Sequence, residues 1–313
     1  MNISVIIPVY NAEKYIANAV NSVLQFPEVS EVILVEDKSP DDALDVCHEL
    51  EKQDSRVKLY QHPDKQNHGA GETRNVGISK ATAEFVAFLD ADDVYLPNRF
   101  DSEKELFKNP EVDGVYNAVG ISYYSEKARE QYFPTYGNKL DTVNQISKPE
   151  DVCPGQMHMR GSFGMIHLDG LTVRRSALSK MPYFFNPDLR LHQDTDFTVR
   201  LGFYLKLFTG NFKEAVALRG IHESNRISDV DTKKIKPAST RVKLWESLKS
   251  WSEKDKSVPE DYRIHIRRMH RSFEIANASI PKKWIMIAGG LITDFKGVRS
   301  GLYNINWRKD LFK

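Results

Sequence analysis

Two hydrophobic rhythms alternate along the first third of the chain. Ile3–Pro8, Val32–Val35, Val57–Tyr60 and Glu84–Leu89 are short, largely apolar runs with the length and branched side chains of buried strands. Between them the apolar residues fall three and four apart. Tyr15, Ile16, Ala19, Val20, Val23 and Leu24 mark one helical face within Ala12–Gln25. Asp41–Gln53 follows Ser39-Pro-Asp-Asp, good N-terminal capping chemistry, and Gly71–Lys80 completes the series. Strands buried on both sides and joined by helices predict an α/β fold with a mainly parallel sheet, helices covering both faces. In such folds ligands gather at the carboxyl ends of the strands.

Beyond this repeat the pattern predicts a helix over Pro97–Lys108 and one or two strands within Val112–Tyr124. It predicts strands within Ile166–Val173 and Ala215–Ile221, and a helix over Asp194–Leu207. Residues 125–160 mix Pro, Gly, Lys and Asn with little period and read as a long loop or mobile insertion. After Ile227 the pattern is helical, through Val242, Leu244, Trp245, Leu248 and Trp251 and then Tyr262–Ala278. The expected organisation is a catalytic domain over 1–228 and a helical extension over 229–313. Within the domain, about 1–110 would bind nucleotide and about 111–228 would face the acceptor.

Composition narrows the class. With 313 residues, 41% hydrophobic and 28% charged, the chain reads as a soluble protein, neither disordered nor membrane-spanning. Cys47 and Cys153 are the only cysteines, so no disulfide framework or zinc site is indicated, and a cytoplasmic setting is expected. The net charge of +1 hides an asymmetry, because residues from Arg226 onward carry 20 Lys and Arg against 10 Asp and Glu. A basic tail behind an acidic body suggests an anionic partner for the tail, or a solvated helical surface.

The polar residues cluster where strands end. Phe85-Val-Ala-Phe-Leu-Asp-Ala-Asp-Asp93 closes the fourth strand with three carboxylates. Clustered carboxylates are costly unless donors or a cation compensate, and a hard, oxygen-seeking Mg²⁺ or Mn²⁺ shared with substrate phosphates would do so. Pro8-Val-Tyr-Asn11 ends the first strand, and Tyr10 offers an aromatic face to a flat base. Glu36-Asp37 ends the second, where a carboxylate can accept from a base N–H or a ribose hydroxyl. His68-Gly-Ala-Gly-Glu-Thr-Arg-Asn75 supplies a turn, a helix start and Arg74, suited to phosphate or ring recognition. Singly, each cluster also reads as a capped turn; together they favour a nucleotide and a divalent metal. The chain has neither a Gly-x-Gly-x-x-Gly after its first strand nor a P-loop, which counts against dinucleotide dehydrogenases and P-loop enzymes.

Ile6-Ile-Pro-Val-Tyr-Asn11, Val35-Glu-Asp-Lys-Ser39, Gly71-Glu-Thr-Arg-Asn-Val-Gly77 and Phe88-Leu-Asp-Ala-Asp-Asp-Val-Tyr-Leu-Pro97 resemble, in order, the signatures of glycosyltransferase family 2. The resemblance covers roughly residues 1–228. It implies the GT-A fold and inverting transfer of a sugar, usually UDP-linked. By it, Pro8, Tyr10, Asn11, Asp37 and Arg74 would line the nucleotide pocket. Asp90 would face ribose or metal, and Asp92 would ligate the metal bridging the diphosphate. Asp93 would instead cap the following helix. His192-Gln-Asp-Thr-Asp196 resembles the family's acidic pair, making Asp194 the general base and Asp196 a structural partner, with Gln193 where an acidic residue is commoner. His222-Glu-Ser-Asn-Arg-Ile-Ser228 resembles the segment that closes over the diphosphate, where His222 would complete the metal shell; Arg226 departs from that pattern. Asp169-Gly-Leu-Thr-Val-Arg-Arg175 would lie among acceptor-facing elements.

The expected activity is metal-dependent transfer of a hexosyl group from a nucleotide sugar to a hydroxyl of a glycan or lipid-linked oligosaccharide, in bacterial surface polysaccharide synthesis. Rival readings are a catalytically silent nucleotide- or carbohydrate-binding protein and a sugar-nucleotide pyrophosphorylase. No nucleic-acid partner is expected; a homodimer is compatible with the sequence. Lys282-Lys-Trp-Ile-Met-Ile-Ala-Gly-Gly-Leu-Ile292 reads either as a peripheral contact with the inner face of a membrane or as a packed helix. Packing is the preferred reading, since no single apolar stripe stands out and Gly289-Gly290 weakens a long helix.

Overall fold

A computed structural model describes residues 1–137, 140, 142–159, 161–222 and 237–294. The chain divides into two units, Met1–Glu223 and Ser224–Lys313. In the first, strands β1 (Ile3–Val9), β2 (Val29–Glu36), β3 (Val57–Gln61) and β4 (Phe85–Phe88) alternate with helices α1 (Ile16–Leu24), α2 (Ala43–Gln53) and α3 (Ala70–Lys80). β5 (Val94–Tyr95), α4 (Asp101–Leu106), β6 (Gly114–Tyr116), β7 (Val119–Tyr123), α5 (Glu126–Tyr136) and α6 (Pro149–Gln156) follow. The unit then continues through β8 (Leu171–Arg174), α7 (Gln193–Tyr204), β9 (Leu207–Thr209) and β10 (Ala217–Ile221).

Seven strands form the main sheet in the order β3-β2-β1-β4-β8-β6-β9, and β5-β10-β7 form a small second sheet. β1 pairs in parallel with β2 and β4, while β8 runs antiparallel between β4 and β6. Alternate residues of the central strands bury on opposite faces. Ile3, Val5 and Ile7 join Ile16, Val20 and Cys47 on the face of α1 and α2. Ile6, Val86 and Phe88 join Ile78, Phe197 and Leu201 on the other. α3 approaches β1 so closely that a Cβ at Gly77 would lie 2.3 Å from the Ile6 side chain, so glycine sets that spacing.

Pro8 does not end the first strand. It pairs with Val35 on the β2 side, whereas the pairing with β4 has already ended at Ile6 and Phe88, so the missing N–H breaks no ladder bond there. The insertion expected as a loop contains α5 and α6. Ser125 caps α5 by accepting from the Ala128 N–H at 3.0 Å, and Pro149 occupies the first turn of α6. Internal Pro134 and Pro154 hide these helices from the periodic pattern. The two-residue β5 and three-residue β9 are too short to leave a pattern of their own.

The second unit is described over helices α8 (Pro237–Lys254), α9 (Glu260–Asn277) and α10 (Ile280–Thr293). Leu244, Trp245, Leu248 and Trp251 of α8 and Tyr262, Ile266 and Ile275 of α9 are buried. Gly289-Gly290 does not interrupt α10, which runs through both residues. Among the described residues no helix is long and apolar enough to cross a membrane.

Candidate active site

The carboxyl ends of β1 and β2 meet through Asn11, whose N–H donates to Ser39 Oγ at 3.2 Å. Asn11 and Lys38 both adopt left-handed backbone, turning the chain sharply away from the sheet. Tyr10 is exposed beside them, 43% accessible as a residue, and can offer its ring to a flat partner. Glu36 and Asp37 point inward. Glu36 accepts from the Ser39 N–H and from Gln61 Nε2, the latter at 2.8 Å. Asp37 accepts from the N–H groups of His68 at 2.7 Å and Gly69 at 2.8 Å, and from Asn67 Nδ2 at 3.0 Å. Both carboxylates are almost fully buried. Asp37 thereby fixes the loop that enters α3, and Glu36 ties the turn after β2 to the end of β3.

Arg74, one turn into α3, is buried and ion-paired with Asp90, with its guanidinium 5.6 Å from the Phe185 ring centre. Asp90 opens the tight turn that closes β4, with the Asp93 N–H donating to its carbonyl at 3.1 Å. The next carboxylate, Asp92, meets His222 just beyond β10, with Oδ2 and Nε2 3.1 Å apart. The His222 ring stacks on Tyr15 at 4.5 Å, and Tyr124 donates its hydroxyl to the Asp92 carbonyl at 3.0 Å. Gly220 lets β10 pass under this turn, since a Cβ there would fall 2.2 Å from the Asp92 carbonyl oxygen. Two residues 130 positions apart are thus brought into contact at the strand end.

Asp93 does not cap a helix. α4 begins only at Asp101, after Phe100, and Asp93 turns into the protein to accept the Gly220 N–H at 2.7 Å. There it joins His167 and Asp169, a trio whose ligand atoms lie within 4.8 Å of one another. Asp169 is fully buried, so it is not acceptor-facing; it accepts the Asp90 N–H at 3.1 Å and lies 3.2 Å from His167 Nδ1. Burial disfavours the Asp169 carboxylate, but His167 and a hydrogen bond from Asp93 outweigh it and hold Asp169 well below the ordinary range. Burial, with Asp169 and Asp92 nearby, pushes Asp93 far up. Burial opposes charge on His167 as well, yet the Asp169 carboxylate raises it. Beneath the Asp90-Ala-Asp92 turn, His167 and Asp169 thus favour each other's charged forms, while Asp93 is biased toward its neutral form. Asp90 itself is raised by burial, with Asp169 and Asp92 adding and Arg74 opposing.

Asp92 and His222 bring one oxygen and one nitrogen ligand together at a partly exposed turn, and Asp93, His167 and Asp169 form a second, buried group whose atoms are spaced for an ion. Opposite α3, α7 starts at Gln193 after a left-handed His192. Gln193 Oε1 accepts the Gly71 N–H at 2.8 Å, joining the two helix starts. Asp194 is half-buried and accepts from the Thr195 N–H at 2.8 Å. Asp196 is buried against Arg200, which also donates to the carbonyls of Tyr183 and Phe184. Arg226 and the rest of the segment 223–228 lie outside the described residues. His167 escaped sequence reasoning, and Asp169 was read only as part of an acceptor-facing segment, because nothing local links either to Asp90.

A mostly parallel sheet covered by helices, with an Asp-x-Asp turn closing its fourth strand, matches the GT-A class of fold. Residues 4–164 match the family model described as glycosyl transferase family 2, and the chain belongs to that family. It is 35% identical over 184 residues to the uncharacterized glycosyltransferase alr2836 of Nostoc sp., covering 58% of this chain and 53% of that one. It is 33% identical over 137 residues to the glycosyltransferase GlyG of Streptococcus pneumoniae, covering 43% and 44%. The chain thus spans about half the length of the curated relatives it matches. Among solved structures, S. aureus TarS 1–349 in complex with UDP-GlcNAc superposes with a TM-score of 0.63 at 18% identity, over 97% of this chain and 78% of that one. The mannosyltransferase PcManGT of Pyrobaculum calidifontis, in complex with GDP-Man and Mn²⁺, gives 0.54 at 15% identity, over 93% and 75%.

Proposed function

We propose that this chain is a metal-dependent, inverting glycosyltransferase that moves a sugar from a nucleotide donor to a hydroxyl of a glycan or lipid-linked oligosaccharide. Bacterial surface polysaccharide synthesis is the proposed setting. The observation that carries the reading is the Asp92–His222 pair, 3.1 Å apart beside the Asp90–Arg74 ion pair. Asp92 and His222 would hold Mn²⁺ or Mg²⁺, which when bound would offset the charge growing on the leaving diphosphate. Pro8, Tyr10 and Asn11 border the base, and Glu36 and Asp37 shape that pocket by ordering its loops. Arg74 holds Asp90 in place at the ribose side.

Inversion in one displacement needs a base on the acceptor side. Asp194 would take the proton of the attacking hydroxyl as the new bond to the anomeric carbon forms. A cleft of about 420 Å³ lined by Ile121–Ser125, Glu126 and Arg129 opens beside Tyr124 and offers aromatic and polar contacts for an acceptor. A UDP donor is favoured by the TarS complex, and GDP-Man in PcManGT marks the alternative nucleotide that the same fold accepts.

Calorimetry with UDP tests the site directly. UDP should bind tightly only with Mn²⁺ present, and Asp92→Ala should abolish that metal dependence. Equal binding with and without metal would overturn the assignment. Asp194→Ala should retain UDP binding and lose transfer from the donor. A wild-type chain that binds UDP-sugars but neither hydrolyses nor transfers them would instead be the silent binder.

A further inference from the structure

The second unit carries an apolar face that its own described helices leave uncovered. α8 and α9 pack together with Leu244, Trp245, Leu248, Trp251, Tyr262 and Ile266 buried and Trp245 edge-on to His265 at 6.0 Å. α10 is different. Its inner side is fixed by Gly290, which is buried, by Arg271 donating to the Met286 carbonyl, and by the Arg268–Asp294 ion pair at 2.6 Å. Its outer side holds Pro281, Ile285, Ala288 and Ile292, spaced four, three and four apart and so stacked on one face, with Trp284 beside them. Ile292 and Ile285 are 87% and 73% exposed, the two most exposed large apolar side chains among the described residues, and Trp284 is 55% exposed. A helix that turns its most apolar residues outward leaves favourable burial unused at roughly 25 cal/mol per Å².

Charge selects the occupant. Lys282 and Lys283 stand at the start of the stripe, and the unit Ser224–Lys313 has 20 Lys and Arg against 10 Asp and Glu, a net charge of +10. Two copies meeting through this face would oppose two such charges, whereas an anionic lipid surface complements each copy. Trp next to Lys at the rim of an apolar stripe is the pattern of a helix lying in the headgroup region. At 14 residues, α10 spans about 21 Å, too short to cross a bilayer but long enough to lie along one.

We propose that α10 is a lipid-docking helix that holds the chain on an anionic membrane surface through Trp284, Ile285 and Ile292, with Lys282 and Lys283 contacting the headgroups. The full chain should co-sediment with phosphatidylcholine vesicles containing phosphatidylglycerol and stay in solution with phosphatidylcholine alone. The Lys282→Gln, Lys283→Gln double variant should lower the partition coefficient about 30-fold, at ~1 kcal/mol for each basic residue. Replacing Trp284, Ile285 and Ile292 together by Ser should abolish sedimentation and leave the thermal unfolding midpoint and Mn²⁺-dependent UDP binding unchanged, since these side chains project outward. The proposal is overturned if the wild-type chain ignores anionic vesicles, or if the triple variant still binds them. It is overturned equally if light scattering shows a wild-type dimer that the triple variant converts to monomer while vesicle binding is unaffected. None of these readouts needs sugar transfer, so they stand or fall apart from the proposed activity.

Discussion

Asp92 shows how one side chain depends on neighbours far away in sequence. Its position is set by His222 in front, by Tyr124 on its carbonyl, and by the absence of a Cβ at Gly220. Gly220→Ala would drive a methyl group into the Asp92 carbonyl, and β10 cannot move away without losing the Gly220–Asp93 bond. We expect this variant to fold with reduced stability and to lower kcat/KM by about 100-fold, the loss expected when a charge-stabilising group is displaced. Wild-type turnover in Gly220→Ala would mean that the turn has no part in the chemistry. The Asp-x-Asp itself was legible because its residues are adjacent and follow an apolar strand. Asp169, 79 positions beyond Asp90, was not, since a long-range contact leaves no local period. The role read for Asp93 shifted for a related reason. A sequence shows that a carboxylate ends a strand, but not whether backbone N–H groups of another loop reach it before a ligand does.

At the level of elements, two side chains tie segments together and make separable predictions. Gln193 joins α7 to α3 by accepting the Gly71 N–H, so a residue that departs from the family's usual acid serves the start of the opposite helix. Gln193→Ala removes a buried acceptor and should cost about 1–2 kcal/mol in chemical denaturation. It should also lower kcat more than it raises KM, because the bond orients the helix that carries Asp194. Glu31 ties β2 to the segment before β4, accepting from Ser4, Thr82 and the Ala83 N–H. Burial alone would raise its carboxyl, but these hydrogen bonds outweigh it and hold it below the ordinary value. A depressed folded pKa supplies stability above the unfolded value and loses it as pH falls through the folded one. Glu31→Gln should therefore be less stable than the parent by about 1 kcal/mol at neutral pH, with the gap closing in acid. A constant gap across the pH range would exclude this role. The alternating βα elements were readable because each buries a complete stripe. α5 and α6 were not, because Pro134 and Pro154 interrupt the pattern that the capping at Ser125 and Pro149 begins.

Across the whole molecule, both cysteines report on the unit that carries the site. Cys47 lies on α2 in the core on one face of the main sheet, and Cys153 is buried on α6, which packs on α7. Burial pushes both thiols up to about 12, with Glu36 and Asp41 adding at Cys47, so little thiolate exists at neutral pH. A thiol reagent in excess should leave both unmodified in the folded chain and modify both once the unit unfolds. Cys47 and Cys153 lie on different helices of one unit, so exposing both at a common rate requires that unit to open rather than one helix to fray. A ligand held only by the folded state must then slow both reactions by the same factor. With UDP and Mn²⁺ at about 100 times the dissociation constant, linkage gives ~2.7 kcal/mol, or about 100-fold slower labelling at each cysteine. Protection of Cys47 alone would mean that α6 opens locally while the nucleotide stays bound. Protection of neither, with UDP bound, would mean that labelling proceeds through local openings that leave the nucleotide site intact.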